Sequence, residues 1–226
     1  MSIYDKSSQL AQYLRSLDDF VIVNNIDGNY NHMGATISDA ILQAGLRYET
    51  VVRPRIRRIL ELYPSAVTTS AFWNLLDETG PKTVLLWRDD EKPNRVVALT
   101  EFLRDEGIET ENELCAWLTS EEHRMQLLSV RGVGPKTVDY IGILAGTQTA
   151  AVDRHVRALL EAAEIQFFGY DEAREILNLA ADNMSVARAT LDHSVWLFMS
   201  GKKRAARSKR SGTTEGARSA QGGALQ

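Results

Sequence analysis

The chain has 226 residues, 44% of them hydrophobic and 25% charged, enough apolar material for one large core or two small ones. Its single cysteine, Cys115, excludes an internal disulfide framework, and no apolar run approaches the ~20 residues that a membrane-spanning helix needs. The net charge of −4 is unevenly spread: seven basic residues against one acid give residues 202–226 a charge of +6, which leaves −10 on residues 1–201.

In chain order, the N-terminal run MSIYDKSSQLAQ lacks the basic-then-apolar pattern of a secretory leader. The only β-like run, Phe20-Val21-Ile22-Val23, is too short to establish a strand. Residues 36–46 place Ile37, Ala40, Ile41 and Ala44 at helical spacing, with Thr36 and Asp39 three apart in the manner of a capping box. Pro54 opens a helix whose Ile56, Ile59, Leu60 and Tyr63 share a face, and Pro64 closes it. Polar starts and apolar stripes predict further helices over 94–106, 110–118, 120–130, 153–164, 171–182 and 185–200. The predicted fold class is all-α.

The most informative stretch is LLSVRGVGPKTVDYIGILAGTQTAAVDRHV, from Leu127 to Val156. An apolar helix ends near Val130. Gly132-Val133-Gly134 then supplies glycines for the positive φ angles of a sharp turn, and Pro135 suits the first turn of the next helix. This is a helix-hairpin-helix, whose outward backbone N–H groups at a helix N-terminus suit a nucleic-acid phosphate. Such contacts position a nucleic acid without reading its bases.

The segment resembles the helix-hairpin-helix/Gly-Pro-Asp superfamily of DNA glycosylases, and in particular its endonuclease III-like branch. The hairpin signature stands here as Val130-Arg131-Gly132-Val133-Gly134-Pro135-Lys136-Thr137-Val138, and the second element as Val152-Asp153-Arg154-His155-Val156. Lys136 falls on the family's catalytic lysine and Asp153, seventeen residues on, on its catalytic aspartate. The pentapeptide Gly-Pro-Lys-Thr-Val recurs at Gly80 to Val84, but that copy lacks the Gly-Val-Gly turn and has Leu99 at the corresponding interval, so Lys82 reads as ordinary surface. The likeness extends to residues 35–60, which look like the first two barrel helices, and to 191–201, which look like the last helix.

The resemblance implies a two-lobed fold: a six-helix barrel-like lobe over 33–148 ending in the hairpin, a second helical lobe from 1–32 plus 149–201, and a disordered basic tail over 202–226. It implies that Lys136 projects from one lobe and Asp153 from the other, with an extruded nucleotide between them. The implied activity is base excision with abasic-site lyase chemistry, in which Lys136 attacks C1′ to form a Schiff base and Asp153 stabilises the developing sugar cation. Double-stranded DNA containing a damaged base or abasic site is the implied partner, bound by a monomer. Oxidised pyrimidines are the damage associated with this branch. DNA contacts are assigned to Val130, Arg131, Gly132, Val133, Gly134, Thr137 and Arg154, and to Gln43, which matches the glutamine some members insert into the gap left by the flipped base. Further cations in reach are Arg157 by the motif and Arg47, Arg53, Arg55, Arg57 and Arg58 on the early helices.

The chain departs from the branch in two places. Many relatives carry four C-terminal cysteines for an iron–sulfur cluster, and one cysteine cannot build it; the histidines at 32, 123, 155 and 193 show no close metal-ligand spacing either. No cofactor or metal is expected. Asp139 stands where the branch has asparagine, and a carboxylate one turn after Lys136 would favour the protonated amine. Two other readings are a non-catalytic helix-hairpin-helix DNA-binding protein and a monofunctional glycosylase in which Asp153 activates water. Asp153 also suits a plain N-cap role, and His155 a packing role beside it. The expected location is cytoplasmic, at the nucleoid, with the Gly-, Ser-, Ala- and Arg-rich tail either solubilising the chain or tethering it to DNA.

Overall fold

The computed structural model describes residues 1–24 and 29–201, and among these no strand occurs. The basic segment 202–226 lies outside the described residues. The chain divides into two compact units, one of Met1–Asn24 with Val152 onward, the other of Asn25–Ala151. No described helix is long and apolar enough to cross a membrane.

The first unit contains α1 (Ile3–Arg15), α10 (Arg154–Ala162), α11 (Gly169–Met184) and a last helix, α12, over 188–201. A capping box of Ser2 and Asp5 starts α1. Leu10 and Leu14 of α1 and Ile176 and Leu177 of α11 are fully buried, and the two helices pack together. Polar ties reinforce the packing: Lys6 Nζ meets Glu172 at 2.5 Å, and Gln9 Nε2 donates to the Ala163 carbonyl at 2.8 Å. The β-like run 20–23 is irregular chain held to α12, where Val23 N–H donates to Ser194 Oγ at 2.9 Å and Phe20 meets Phe198 edge-on at 5.4 Å.

The second unit contains α2 (Met33–Leu42), a π-helical turn over Tyr48–Val52, α3 (Arg53–Leu62), α4 (Thr69–Thr79), α5 (Pro81–Leu85), α6 (Glu91–Asp105), α7 (Glu111–Trp117), α8 (Glu121–Leu127) and α9 (Pro135–Ala145). Every residue of α2 is buried. A helix enclosed on all sides is the centre of its unit, and α3, α4, α6 and α9 pack on it. Its polar residues therefore need partners inside the protein.

This corrects the expected start of α2. Its cap is His32, whose Nδ1 accepts from Ala35 N–H at 3.1 Å while Nε2 donates to the Tyr63 carbonyl at 2.9 Å. Thr36 and Asp39 lie inside the helix, not at a capping box. The Thr36 hydroxyl donates to Glu111, a buried carboxylate that also accepts Asn31 N–H at 3.0 Å and His32 N–H at 3.4 Å. Asp39, with no exposed surface, accepts the hydroxyls of Tyr30 at 2.6 Å, Tyr48 at 3.0 Å and Tyr140 at 3.2 Å. Burial and the Asp39 charge push the Tyr30 and Tyr140 hydroxyls far above the usual phenol range, so both stay neutral donors.

Removing Glu111 strands one hydroxyl and two backbone N–H groups at the entry to the central helix. Glu111→Ala is expected to lower unfolding stability by about 3 kcal/mol, read as a shift of the urea midpoint.

Candidate active site

The hairpin joins α8 to α9. Ser120 caps α8, and Val133 N–H closes the turn by donating to the Val130 carbonyl at 3.0 Å. Val130 and Val133 belong to the hydrophobic core, and their backbone N–H groups are used within the protein, donating to the Leu127 and Val130 carbonyls. The two glycines differ. Gly132 has φ +88°, and a β-carbon there would come within 2.6 Å of Arg95 Cδ. Gly134, the N-cap of α9, has φ −110° and ψ 177°, an extended backbone that any residue adopts, so the expected positive φ does not apply to it. A β-carbon at Gly134 would meet nothing within 4 Å. Bareness at this position leaves room for something to approach the first turn of α9.

Pro135 opens α9, and Lys136 follows in its first turn. The half-buried Lys136 lays its amine 5.8 Å from the Tyr140 ring centroid and donates from Nζ to Gln43 Oε1 at 2.6 Å. Gln43 is the C-cap of α2, and its Nε2 is buried with no hydrogen-bond partner among the described residues. The structure thus brings Gln43 and Lys136 together. Thr137 is buried behind them, and Arg131 is exposed on the turn.

Two groups around this cluster were absent from the sequence reading. Lys92, in the first turn of α6, donates to the carbonyls of Ile41 at 2.7 Å and Ala44 at 3.0 Å, the backbone on either side of Gln43. The expected start of that helix at Asn94 hid it, although Pro93 in a first turn was the available signal. Arg124 of α8 is the second. Its Nη2 reaches the fully buried Asp139 at 2.6 Å, and Thr149 Oγ1 donates to the same oxygen at 3.2 Å. The Asp139 carboxylate is thereby met by a guanidinium.

Asp153 belongs to the other unit, where it caps α10. Its Oδ1 accepts His155 N–H at 2.7 Å and Val156 N–H at 3.2 Å, and its Oδ2 meets His155 Nδ1 at 2.7 Å. Cap and histidine contact are therefore one arrangement, since the buried His155 holds Asp153 as well as packing. These three contacts hold the Asp153 carboxylate in place. Arg154 and Arg157 are exposed on α10.

The other named cations are mostly occupied by the protein. Arg53 pairs with Glu49 at 2.6 Å, Arg55 lies 4.9 Å from the Trp87 ring centroid and donates to the Val51 carbonyl, and Arg58 donates to the Val84 carbonyl at 2.9 Å. Arg47 and Arg57 are exposed. Lys82, in the duplicate pentapeptide, forms an exposed ion pair with Asp90 at 2.6 Å. Among the described residues no group of three His, Cys, Asp or Glu side chains is placed to hold a metal ion.

The family described as a domain of unknown function, DUF8548, matches residues 88–200, half of the chain. The chain belongs to this family. Its matched span carries Lys92, the hairpin, Lys136 and Asp153, and begins after Gln43. No curated protein matches the sequence. Among solved structures, the chain is similar to the H. pylori 3-methyladenine DNA glycosylase MagIII bound to 1,N6-ethenoadenine, with a TM-score of 0.53 and 14% identity over 90% of this chain and 99% of that one. It is also similar to the 8-oxoguanine DNA glycosylase of Thermotoga maritima, with a TM-score of 0.48 and 14% identity over 87% of this chain and 88% of that one. The fold is that of the helical DNA glycosylases.

Gly132→Ala is expected to cost about 1–3 kcal/mol, because alanine must take a left-handed backbone against the Arg95 stem. Gly134→Ala should leave the urea midpoint near that of the parent chain. Arg124→Met is expected to cost about 3 kcal/mol by leaving a buried carboxylate uncompensated, and adding Asp139→Asn should restore part of the loss in the same melt.

Proposed function

We propose that the protein is a base-excision DNA glycosylase with abasic-site lyase activity, with Lys136 as the nucleophile and Asp153 assisting. The observation that carries this reading is the placement of the Lys136 amine in the first turn of α9, directly after a hairpin with a bare N-cap and held by the neutral amide of Gln43. A helix N-terminus disfavours a nearby cation, and the attack requires a neutral amine. The helical DNA glycosylase fold supports the same reading.

In the proposed reaction the Lys136 nitrogen lone pair forms a bond to C1′ while the C1′–N bond to the base breaks, and the base leaves with a proton. Loss of the amine proton and opening of the sugar ring give an imine between Lys136 and C1′. Removal of a C2′ proton then expels the 3′ phosphate by β-elimination. Asp153 serves as a fixed negative charge for the cation that develops on the sugar. Its engagement with two N–H groups and His155 suits that task better than activation of water. Backbone N–H groups of the hairpin, with Arg131 and Arg154, take the phosphates of damaged double-stranded DNA bound by one monomer.

The test is borohydride trapping on a duplex with one abasic site. The parent chain and Lys82→Ala should give a covalent protein–DNA band and Lys136→Ala none. Asp153→Asn should slow release of the base by at least ~100-fold while retaining DNA binding. Bound DNA with no band from the parent chain overturns the lyase. Base release with an intact backbone would then mark a water-using glycosylase, and no release a binding module. The duplex panel includes oxidised pyrimidines and 3-methyladenine, the latter because of the fold neighbour's substrate.

A further inference from the structure

The DNA contact expected of Gln43 leaves its observed interaction unexplained. Its Oε1 accepts from Lys136 Nζ at 2.6 Å, while its Nε2 is buried with no hydrogen-bond partner among the described residues. Buried polar groups are normally paired, and a stranded donor lowers stability. The amide thus turns its carbonyl to the amine at the expense of its own NH2 group, an orientation that serves the lysine rather than the fold.

The carbonyl is delivered from a braced frame. Gln43 closes α2, its backbone N–H donating to the Asp39 carbonyl at 3.0 Å, and Asp39 in turn takes the Tyr140 hydroxyl of α9 at 3.2 Å. From α6, Lys92 Nζ holds the Ile41 and Ala44 carbonyls on either side of Gln43 at 2.7 and 3.0 Å. The Lys136 amine, by contrast, sits on a flexible four-carbon stem, whose freedom must be restricted before the nitrogen can meet one carbon atom productively.

We propose that Gln43 is the positioning residue of the Lys136 amine: its side-chain carbonyl, braced from α2 and α6, takes one N–H of the amine and holds the nitrogen where it attacks. The inference rests on the reading of Lys136 as the nucleophile, and it changes the role of Gln43 from DNA contact to partner of that lysine. The work of the carbonyl is geometric. Bonding one amine hydrogen to a fixed acceptor anchors the nitrogen and leaves its lone pair outside that bond, free for C1′. An amide carbonyl accepts from the amine in either charge state, so the same hold persists before and after the amine gives up its proton.

The experiment measures, on one abasic duplex, the Kd and the single-turnover rate of borohydride-trapped imine at saturating duplex, for the parent chain, Gln43→Met and Gln43→Asn, with urea melts of each. Gln43→Met keeps the length of the side chain without the acceptor, and is expected to lower the saturated rate about 10- to 100-fold. Its Kd and urea midpoint should stay near the parental values, which a role confined to binding or to folding does not produce. Gln43→Asn keeps the amide but is one methylene too short to reach the amine, and should lower the saturated rate in the same way if Gln43→Met fails to fold. A folded variant that traps at the parental rate when saturated overturns the proposal, and a weaker Kd in that case marks Gln43 as a DNA contact. No imine from the parent chain overturns the reading of Lys136 instead, so the two failures are distinct.

Discussion

Two side-chain bonds one turn apart sew α2 to α9, and the geometry of the candidate site depends on them. Asp39 takes the Tyr140 hydroxyl at 3.2 Å, and Gln43, four residues later on α2, takes the Lys136 amine, four residues earlier on α9, at 2.6 Å. Residues four apart on a helix lie on one face, so the pairs read as consecutive rungs between helices that run in opposite directions. The inner rung is buried and carries two further hydroxyls, from Tyr30 and Tyr48. Such a filled acceptor cannot slide along the helix without stranding a donor. The outer rung inherits that fixed register, and it contains the amine.

The hairpin was legible in the sequence because its signals are local. A left-handed φ at Gly132 and a proline at the first helical position each act within four residues. Asp153 at a helix start was legible for the same reason. Thr36 and Asp39 show where local rules fail. Their three-residue spacing imitates a capping box, but their partners are Glu111, Tyr48, Tyr30 and Tyr140, up to a hundred residues away. Nothing in a four-residue window separates a cap from a polar group in the middle of a buried helix. Helix α1 was missed although its Ser2 and Asp5 form a true capping box, while α4 and the five-residue α5 offered weaker patterns. Gln43 was picked out by resemblance alone, and its contact with Lys136 needed the fold.

Charge shows the same division. Counting arginines on the early helices suggested a basic face, yet Arg53, Arg55 and Arg58 are committed to a carboxylate, aromatic rings and helix-end carbonyls. A guanidinium capping a helix C-terminus has its donors aimed at the protein and contributes to stability more than to binding. The exposed cations Arg47, Arg57, Arg131, Arg154 and Arg157 remain. A body of net −10 with a few such groups would hold a polyanion through a few local contacts and repel it elsewhere, which favours a short footprint and a shallow dependence on salt.

Helix α6 connects these themes. From it, Lys92 caps the end of α2 around Gln43, while the Arg95 stem lies under Gly132, so the turn before Lys136 and the amide that receives Lys136 rest on one helix. The Arg95 charge is answered by Glu91 at 2.5 Å, while Lys92 gives its ammonium to the two backbone carbonyls that flank Gln43. Position 95 can thus change its charge with modest effect on the turn, provided an aliphatic stem remains to fill the space beneath the glycine. Position 92 cannot, because its ammonium is the donor to both carbonyls. A helix that braces the chain on both sides of Lys136 in this way sets where the amine stands.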